Sequence, residues 1–309
     1  MLIEKYLSIV IPSYNEEKNI MQLYNELLPV LENICSHYEI VFVDDGSKDS
    51  TFSVIKEIAE KNKNVIGLSL SRNFGHQIAI MAGLQHSKGD LVVMMDADMQ
   101  HPPEIIPQLI FEYGKGFDIV NTKRLDSDDT GFFKKVSSRC FYRFINFLSD
   151  VKIEPAAADF RLMTRKAVNA FLQLEEKDRF TRGLISWMGF KQSIVEYNAS
   201  SRFAGKSKYT IKKMFRFGMD GITSFSSKPL RISFYAGIVV FLIGFIYAVY
   251  AIISHICGNT VPGWTSILVT VLIIGGIQLL SIGIIGEYIA RIFNEAKERP
   301  LYFIKDKTK

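Results

Sequence analysis

The sequence predicts an α/β protein, a doubly wound and mostly parallel sheet, followed by a C-terminal hairpin of two membrane-spanning helices. Three observations carry this expectation. Short aliphatic runs alternate with stretches of helical spacing through the first half of the chain, the alternation that builds parallel sheets covered by helices on both faces. Three of these runs end in polar clusters: Pro12-Ser13-Tyr14-Asn15-Glu16, Asp44-Asp45-Gly46-Ser47 and Asp96-Ala97-Asp98. In a parallel sheet such ends share one edge, where open α/β sheets bind ligands. Finally, residues 232–257 and 266–286 contain no Asp, Glu, Lys or Arg, and each stretch is long enough for the ~20 apolar residues that cross a bilayer.

Taken in order, residues 7–11 read as the first strand, and 16–30 as a helix with Ile20, Leu23, Leu27 and Leu28 at helical spacing. A strand at 39–43 is followed by a helix at 50–61, a strand at 65–70 and a helix at 76–86. The strand at 90–95 carries Val92-Val93-Met94-Met95, the continuous apolar run of a strand buried on both faces. Pro102-Pro103 then stops any continuation. Residues 117–122 read as a fifth strand. The division expected is 1–210 as the α/β domain, 211–230 as a juxtamembrane helix and 231–290 as two spans, about 232–257 and 266–289, with 291–309 as a basic tail. Met214, Phe215, Phe217, Met219, Ile222 and Phe225 give the juxtamembrane segment its interfacial, amphipathic character.

The 309 residues carry a formal charge of +5, and its placement says more than its size. Basic residues from Arg202 to Arg231 precede the first apolar run, and others from Arg291 to Lys309 follow the second. The loop between the runs has neither Lys nor Arg. By the positive-inside rule both termini are expected on the cytoplasmic face of the cell's inner membrane, with the bilayer rather than a nucleic acid as partner. No charged leader with a cleavage site opens the sequence, so a secretory signal is not expected. Three scattered cysteines, Cys35, Cys140 and Cys257, show neither metal-ligand spacing nor a disulfide framework.

The polar clusters carry the chemistry. Asp96, Asp98 and Gln100 form an all-oxygen set suited to Mg²⁺ or Mn²⁺ shared with substrate phosphates. The alternative is a solvated turn, since Asp is common there. Neither Gly-x-x-x-x-Gly-Lys-Ser/Thr nor Gly-x-Gly-x-x-Gly follows the first strand, which favours a metal rather than a backbone cradle for a diphosphate. Asp44 leaves a buried strand, where an unpaired carboxylate is costly, so a ligand is the expected partner. Asp45 reads as a turn or cap residue.

These clusters, together with Ala158-Asp159-Phe160-Arg161-Leu162, resemble family 2 glycosyltransferases of the GT-A fold. Within that family the chain is similar to polyisoprenyl-phosphate glycosyltransferases such as dolichol-phosphate mannose synthase. The C-terminal hairpin resembles most the bactoprenol-phosphate glucosyltransferase group. The resemblance implies that Pro12, Tyr14, Glu16 and Asp44 hold the nucleoside, and that Asp96 and Asp98 with Gln100 hold metal and diphosphate. It places His101 beside them in a structural role. It implies a catalytic role for Asp98 and, as base, for Asp159; because a phosphate-monoester acceptor is already anionic, Asp159 reads equally as a group that orients an arginine or the sugar hydroxyls, or that stabilises positive charge at the anomeric carbon, and an ion pair with Arg161 is the structural alternative. Arg202-Phe203-Ala204-Gly205-Lys206-Ser207-Lys208-Tyr209 resembles the family's R-x-x-G-x-S-K-Y element. That likeness implies Arg202 and Lys208 on the nucleotide diphosphate and Ser207 toward the acceptor phosphate, while Arg124 and Arg139, which flank the acidic loop 126–131, read as facing the acceptor's phosphate or the bilayer.

The function expected is an inverting single displacement that moves a hexose, glucose from UDP-glucose, to undecaprenyl or another polyprenyl phosphate. GDP-mannose, UDP-GlcNAc, UDP-galactose and UDP-aminoarabinose stay open as donors. A homo-oligomer, with a tetramer among its forms, a flippase and a downstream glycosyltransferase are the expected partners. Two other readings stand beside it. A processive polysaccharide synthase would need a Gln-x-x-Arg-Trp motif and more spans. A nucleotide-sugar sensor would not need the carboxylates that are present.

Overall fold

The computed structural model describes residues 3–125, 157–177, 179–198, 226–256 and 263–308. Its centre is an eight-stranded sheet built from β1 (Leu7–Ser13), β2 (Tyr38–Asp44), β3 (Val65–Leu70), β4 (Leu91–Met94), β5 (Ile119–Leu125), β6 (Ala157–Thr164), β7 (Gln192–Asn198) and β8 (Ile304–Lys307). The spatial order is β7-β5-β6-β4-β1-β2-β3-β8. The run β4-β1-β2-β3 is parallel throughout, as the alternation of strand and helix signals requires. Beyond it the sheet is mixed: β6 runs antiparallel to both β4 and β5, and β8 antiparallel to β3.

Helices cover both faces. On one side α1 (Glu17–Ile34), α2 (Thr51–Lys61) and α4 (Ile106–Gly114) bury their apolar stripes; on the other lie α3 (His76–His86), α5 (Arg165–Leu172) and α6 (Thr181–Trp187). Strand β1 shows the arrangement residue by residue. Ile9 and Ile11 join the cluster containing Ile20, Leu23 and Ile55, while Val10 joins the one containing Ala79 and Ile80. Each fully buried aliphatic contributes about 1.5–3 kcal/mol, so a strand covered on both faces carries no polar alternation. Helix α1 runs past Pro29 to Ile34, four residues beyond the expected end, because Leu31 is fully buried on the sheet and outweighs the proline's lost hydrogen bond.

The two apolar runs are single helices, α7 (Lys228–Ile256) and α8 (Trp264–Ala296). Their segments Lys228–Ser254 and Ile273–Ala296 are long and apolar enough to span a bilayer, with mean hydropathies of 2.6 and 1.7 and none of their apolar windows buried in protein. An apolar surface of that extent, including exposed Phe241, Ile246, Leu279 and Ile282, calls for a lipid environment. Ser233 and Ser281 hydrogen-bond across the hairpin at 2.7 Å. The stretch 291–309, read from sequence as a basic tail, first completes α8 and then supplies β8 to the sheet edge. The expected juxtamembrane helix over 211–230 lies almost wholly outside the described residues.

Candidate active site

Adjacent parallel strands bring their carboxyl ends together. Ser13 pairs with Asp44 and Val10 with Met94, so the clusters following β1, β2 and β4 meet at one edge. The antiparallel β6 adds the fourth component. Met94 pairs with Arg161, and extending that register by two residues on each strand sets Asp159 opposite Asp96. A cleft of about 540 Å³ results, whose lining includes Pro12, Tyr14, Glu16, Asp96, Asp98 and Asp159.

The side of the cleft lined by Pro12, Tyr14 and Glu16 is a stitched pair of loops. Ser47 Oγ accepts from Asn15 N–H at 2.9 Å, and Asn15 Oδ1 accepts from Lys48 N–H at 2.9 Å. Thr51 Oγ1 accepts from Glu16 N–H, while Glu16 Oε2 accepts from Asn19 Nδ2 at 2.6 Å. Asp44 does not line the cleft, and its carboxylate has internal partners: Ser47 N–H at 3.0 Å and Ser69 Oγ at 2.9 Å. The burial cost that pointed to a ligand is met by protein donors instead. Its neighbour Asp45 lines the cleft, accepting from Phe74 N–H at 2.7 Å and Gly75 N–H at 2.9 Å. Burial raises the Asp45 carboxyl pKa, and those two backbone donors draw it back down. Gly46 has φ +65°, and a Cβ there would sit 2.4 Å from the Arg72 carbonyl carbon. Only glycine lets the second loop pass this close to the third.

The acidic centre is organised around Asp159. Its Oδ1 lies 3.1 Å from Arg161 Nη2 and 3.1 Å from Arg182 Nε, and its Oδ2 accepts from Arg182 Nη2 at 3.2 Å. His76 Nε2 stands 3.6 Å from Asp159 Oδ2 and 3.4 Å from Asp96 Oδ1. Burial alone would raise the Asp159 pKa, but Arg182, His76 and Arg161 hold it well below the ordinary carboxylate value. For His76, burial opposes protonation, and the two carboxylates overcome it, raising its pKa to about 9. Its side chain is still 42% exposed to the cleft, so water screens part of that attraction. Burial brings the Arg161 guanidinium down to about 10 despite Asp159 beside it.

The Asp96–Gln100 turn fits a divalent cation by its donor chemistry. Asp96 Oδ1 is buried and makes no hydrogen bond; among the described residues only the His76 imidazole, 3.4 Å away, faces it, which leaves it an oxygen donor that a second cation can share. Met99 is held at φ +64°, a backbone state uncommon for a side-chain-bearing residue and frequent at functional sites. Asp98 Oδ1 accepts from Gln100 N–H at 3.2 Å. His101 is a structural residue: its Nδ1 accepts from Asp96 N–H at 3.0 Å, and its ring stacks on Phe160 at 5.1 Å. Among the described residues no three His, Cys, Asp or Glu side chains cluster as a complete metal site. Gln100 Oε1 also accepts from Arg124 Nη1 at 3.3 Å. Arg139, Arg202, Ser207 and Lys208 lie outside the described residues.

Sequence reasoning missed His76, Arg182 and the cleft-facing role of Asp45. A signal for His76 was available: β3 is a fourth parallel strand, and Asn73, Gly75 and His76 follow its carboxyl end into the same cleft. Arg182 sits in α6 at no recognisable motif.

Comparison with known proteins accounts for this combination of sheet edge, carboxylates and hairpin. Residues 8–172 match the model for glycosyl transferase family 2, and the chain belongs to that family. Residues 228–292 match the GtrB C-terminal hairpin. A prophage bactoprenol glucosyl transferase homolog of Escherichia coli K12 is 43% identical over 300 residues, covering 97% of this chain and 98% of that protein. The bactoprenol glucosyl transferase of Shigella phage SfV is 42% identical over 301 residues, with 97% and 98% covered. An uncharacterized glycosyltransferase of Bacillus subtilis strain 168 is 44% identical over 299 residues, with 96% and 93% covered.

Proposed function

We propose that this protein transfers glucose from UDP-glucose to a polyprenyl phosphate, undecaprenyl phosphate in bacteria, at the cytoplasmic face of the inner membrane. The supporting observation is the joining, in one chain, of a carboxylate-lined cleft to an apolar hairpin that has no protein cover. An acceptor confined to the bilayer requires such an anchor, and a soluble acceptor does not. Near-full-length similarity to bactoprenol glucosyl transferases supports the same reading.

The reaction breaks the bond from the sugar's anomeric carbon to the β-phosphate oxygen, whose electron pair leaves with UDP. An oxygen of the acceptor phosphate forms the new bond from the opposite face, with inversion. That acceptor has a second pKa near 6, so it is anionic at neutral pH and no strong base is needed to activate it. Asp159 suits a different task. Held far below the usual carboxylate range by two guanidinium groups and His76, it is a weak proton acceptor, and it instead orients Arg182 and presents negative charge toward the sugar. Asp96 and Asp98, with Gln100 beside them, would hold the Mg²⁺ or Mn²⁺. Such an ion, when bound, neutralises charge developing on the leaving diphosphate. Pro12, Tyr14 and Glu16 would take the nucleoside, and Arg124, whose bond to Gln100 supports the assignment, would take the acceptor phosphate. Self-association, a flippase and a downstream glycosyltransferase belong to the same reading.

The test is incubation of membranes containing the protein with a panel of radiolabelled nucleotide sugars and polyprenyl phosphate. Label from UDP-glucose is expected in organic-extractable lipid, in a product cleaved by mild acid. Label confined to a long polymer, or absent from lipid, would overturn the proposal.

A further inference from the structure

The end of the second membrane helix is tied directly to Lys177, five residues before Arg182 of α6. Lys177 Nζ donates to the carbonyls of Asn294 (3.2 Å) and Glu295 (2.9 Å), and Glu295 Oε1 accepts from Lys177 N–H at 2.8 Å. A cation on the last carbonyls of a helix satisfies acceptors that have no partner within the helix, and it sits at the negative end of the dipole. Residues 179–182, which lead to the cleft, are fixed at several points. Arg179 donates to Leu174 O and to Met81 Sδ. Thr181 donates through both N–H and Oγ to Gln77 Oε1, beside His76. Arg182 then reaches both oxygens of Asp159.

The other side of the junction is equally fixed. After α8 the chain turns through Glu298 at φ +48° and lies along β3. Phe303 O accepts from Ser71 N–H at 2.9 Å, Gly67 O accepts from Thr308 N–H at 2.9 Å, and Thr308 Oγ1 accepts from Gly67 N–H at 2.6 Å. The last turn of α8 is therefore held between the sheet edge and Lys177.

We propose that Lys177 and Glu295 are positioning residues for the transfer reaction: the capped end of the membrane helix sets the start of α6, from which Arg182 reaches Asp159. The helix that anchors the protein in lipid thus also fixes one wall of the cleft. This inference rests on the reading of Arg182 and Asp159 as part of the working site. It goes beyond that reading in assigning a reaction role to residues outside the cleft.

A double-mutant cycle in full-length, membrane-inserted protein tests it. Lys177→Ala is expected to lower kcat about tenfold, since small displacements of an aligned group cost rate rather than affinity, with KM for UDP-glucose changed less than about twofold. Lys177→Arg, which still donates to the helix carbonyls, should recover most of the rate. In an Arg182→Lys background, which keeps the charge, Lys177→Ala should cost less than about twofold, because residues acting through one another are not additive. Glu295→Ala carries the same expectations by removing the acceptor of the Lys177 N–H. Equal costs in both backgrounds, or a loss confined to the amount of inserted protein with kcat per molecule unchanged, would overturn the proposal. Full activity of Arg182→Lys and Arg182→Ala alike would instead remove the reading of the cleft on which it rests.

Discussion

Replacing Asp159 with Asn separates the structural from the chemical use of its charge. Asp159 is 9% exposed and faces Arg161, itself 1% exposed, and Arg182. Removing one partner of a buried ion pair leaves an uncompensated charge and costs about 3–5 kcal/mol. For a domain of roughly 200 residues, at about 2–4 °C per kcal/mol, the melting point should fall by about 6–20 °C. Cys35 is a built-in probe of that transition: it is 3% exposed, and burial raises its thiol pKa to about 11. In a Cys140→Ser, Cys257→Ser background, alkylation should therefore report unfolding alone. The compensated variant Asp159→Asn, Arg161→Met removes both charges, an exchange that is often neutral or stabilising. It should regain most of the lost stability while glucose transfer to lipid stays at least about 100-fold down, the scale seen when a preorganised electrostatic group is lost. Recovery of transfer in step with stability would refute the argument, leaving Asp159 as no more than the counter-ion of Arg161.

Three further outcomes follow from the same geometry. Asp98→Asn, or EDTA treatment of the wild type, should reduce transfer at least about 100-fold without releasing the protein from membranes, and added Mg²⁺ or Mn²⁺ should restore only the EDTA-treated wild type; undiminished transfer by Asp98→Asn excludes the cation site. The pKa of Asp159 is depressed in the folded protein, so its stabilising charge is fully present above the ordinary value of 3.8 and is lost only as pH falls through its lower folded value. An acid limb of kcat/KM for the lipid should thus appear near pH 6, from the acceptor phosphate, and a limb between pH 3 and 5 would point to an enzyme carboxylate instead. Gly46→Ala should cost at least ~2 kcal/mol from its left-handed backbone and raise KM for the donor, because a Cβ there meets the Arg72 and Asn73 backbone that Asp45 helps to anchor; thermal melting and donor titration at wild-type values would contradict it.

The parallel core was legible because its physical signal is local. A strand buried on both faces must be aliphatic along its length, so residues 7–11, 39–43, 65–70 and 90–95 stand out, and all four are strands. The helical hairpin was legible for the same reason, since lipid admits no charge over some twenty residues. Edge strands carry less of that signal. β7 reads Gln-Ser-Ile-Val-Glu-Tyr-Asn and buries only Val195 and Tyr197, and β8 reads Ile-Lys-Asp-Lys with every residue exposed. Their pairing is decided by where a distant part of the chain returns, and no local window contains that.

The site divides along the same line. Asp96 and Asp98 were found because they terminate an aliphatic run, and Tyr14 and Glu16 because they follow one. Asp44 and Asp45 show the limit: adjacent, chemically identical and at a strand end, they differ only in which face each carboxylate meets. Alternation sends one toward Ser69 on the neighbouring strand and the other toward the loop before α3. Deciding between them required knowing that Ser69 lies beside Asp44, a fact of the β2–β3 register. Asp159 belongs to the same class of problem, since its place beside Asp96 depends on β6 running against β4. An antiparallel strand inserted into a parallel core delivers its start, not its end, to the ligand edge, and that reversal brings an acid from the middle of the chain to the carboxylates that end β4.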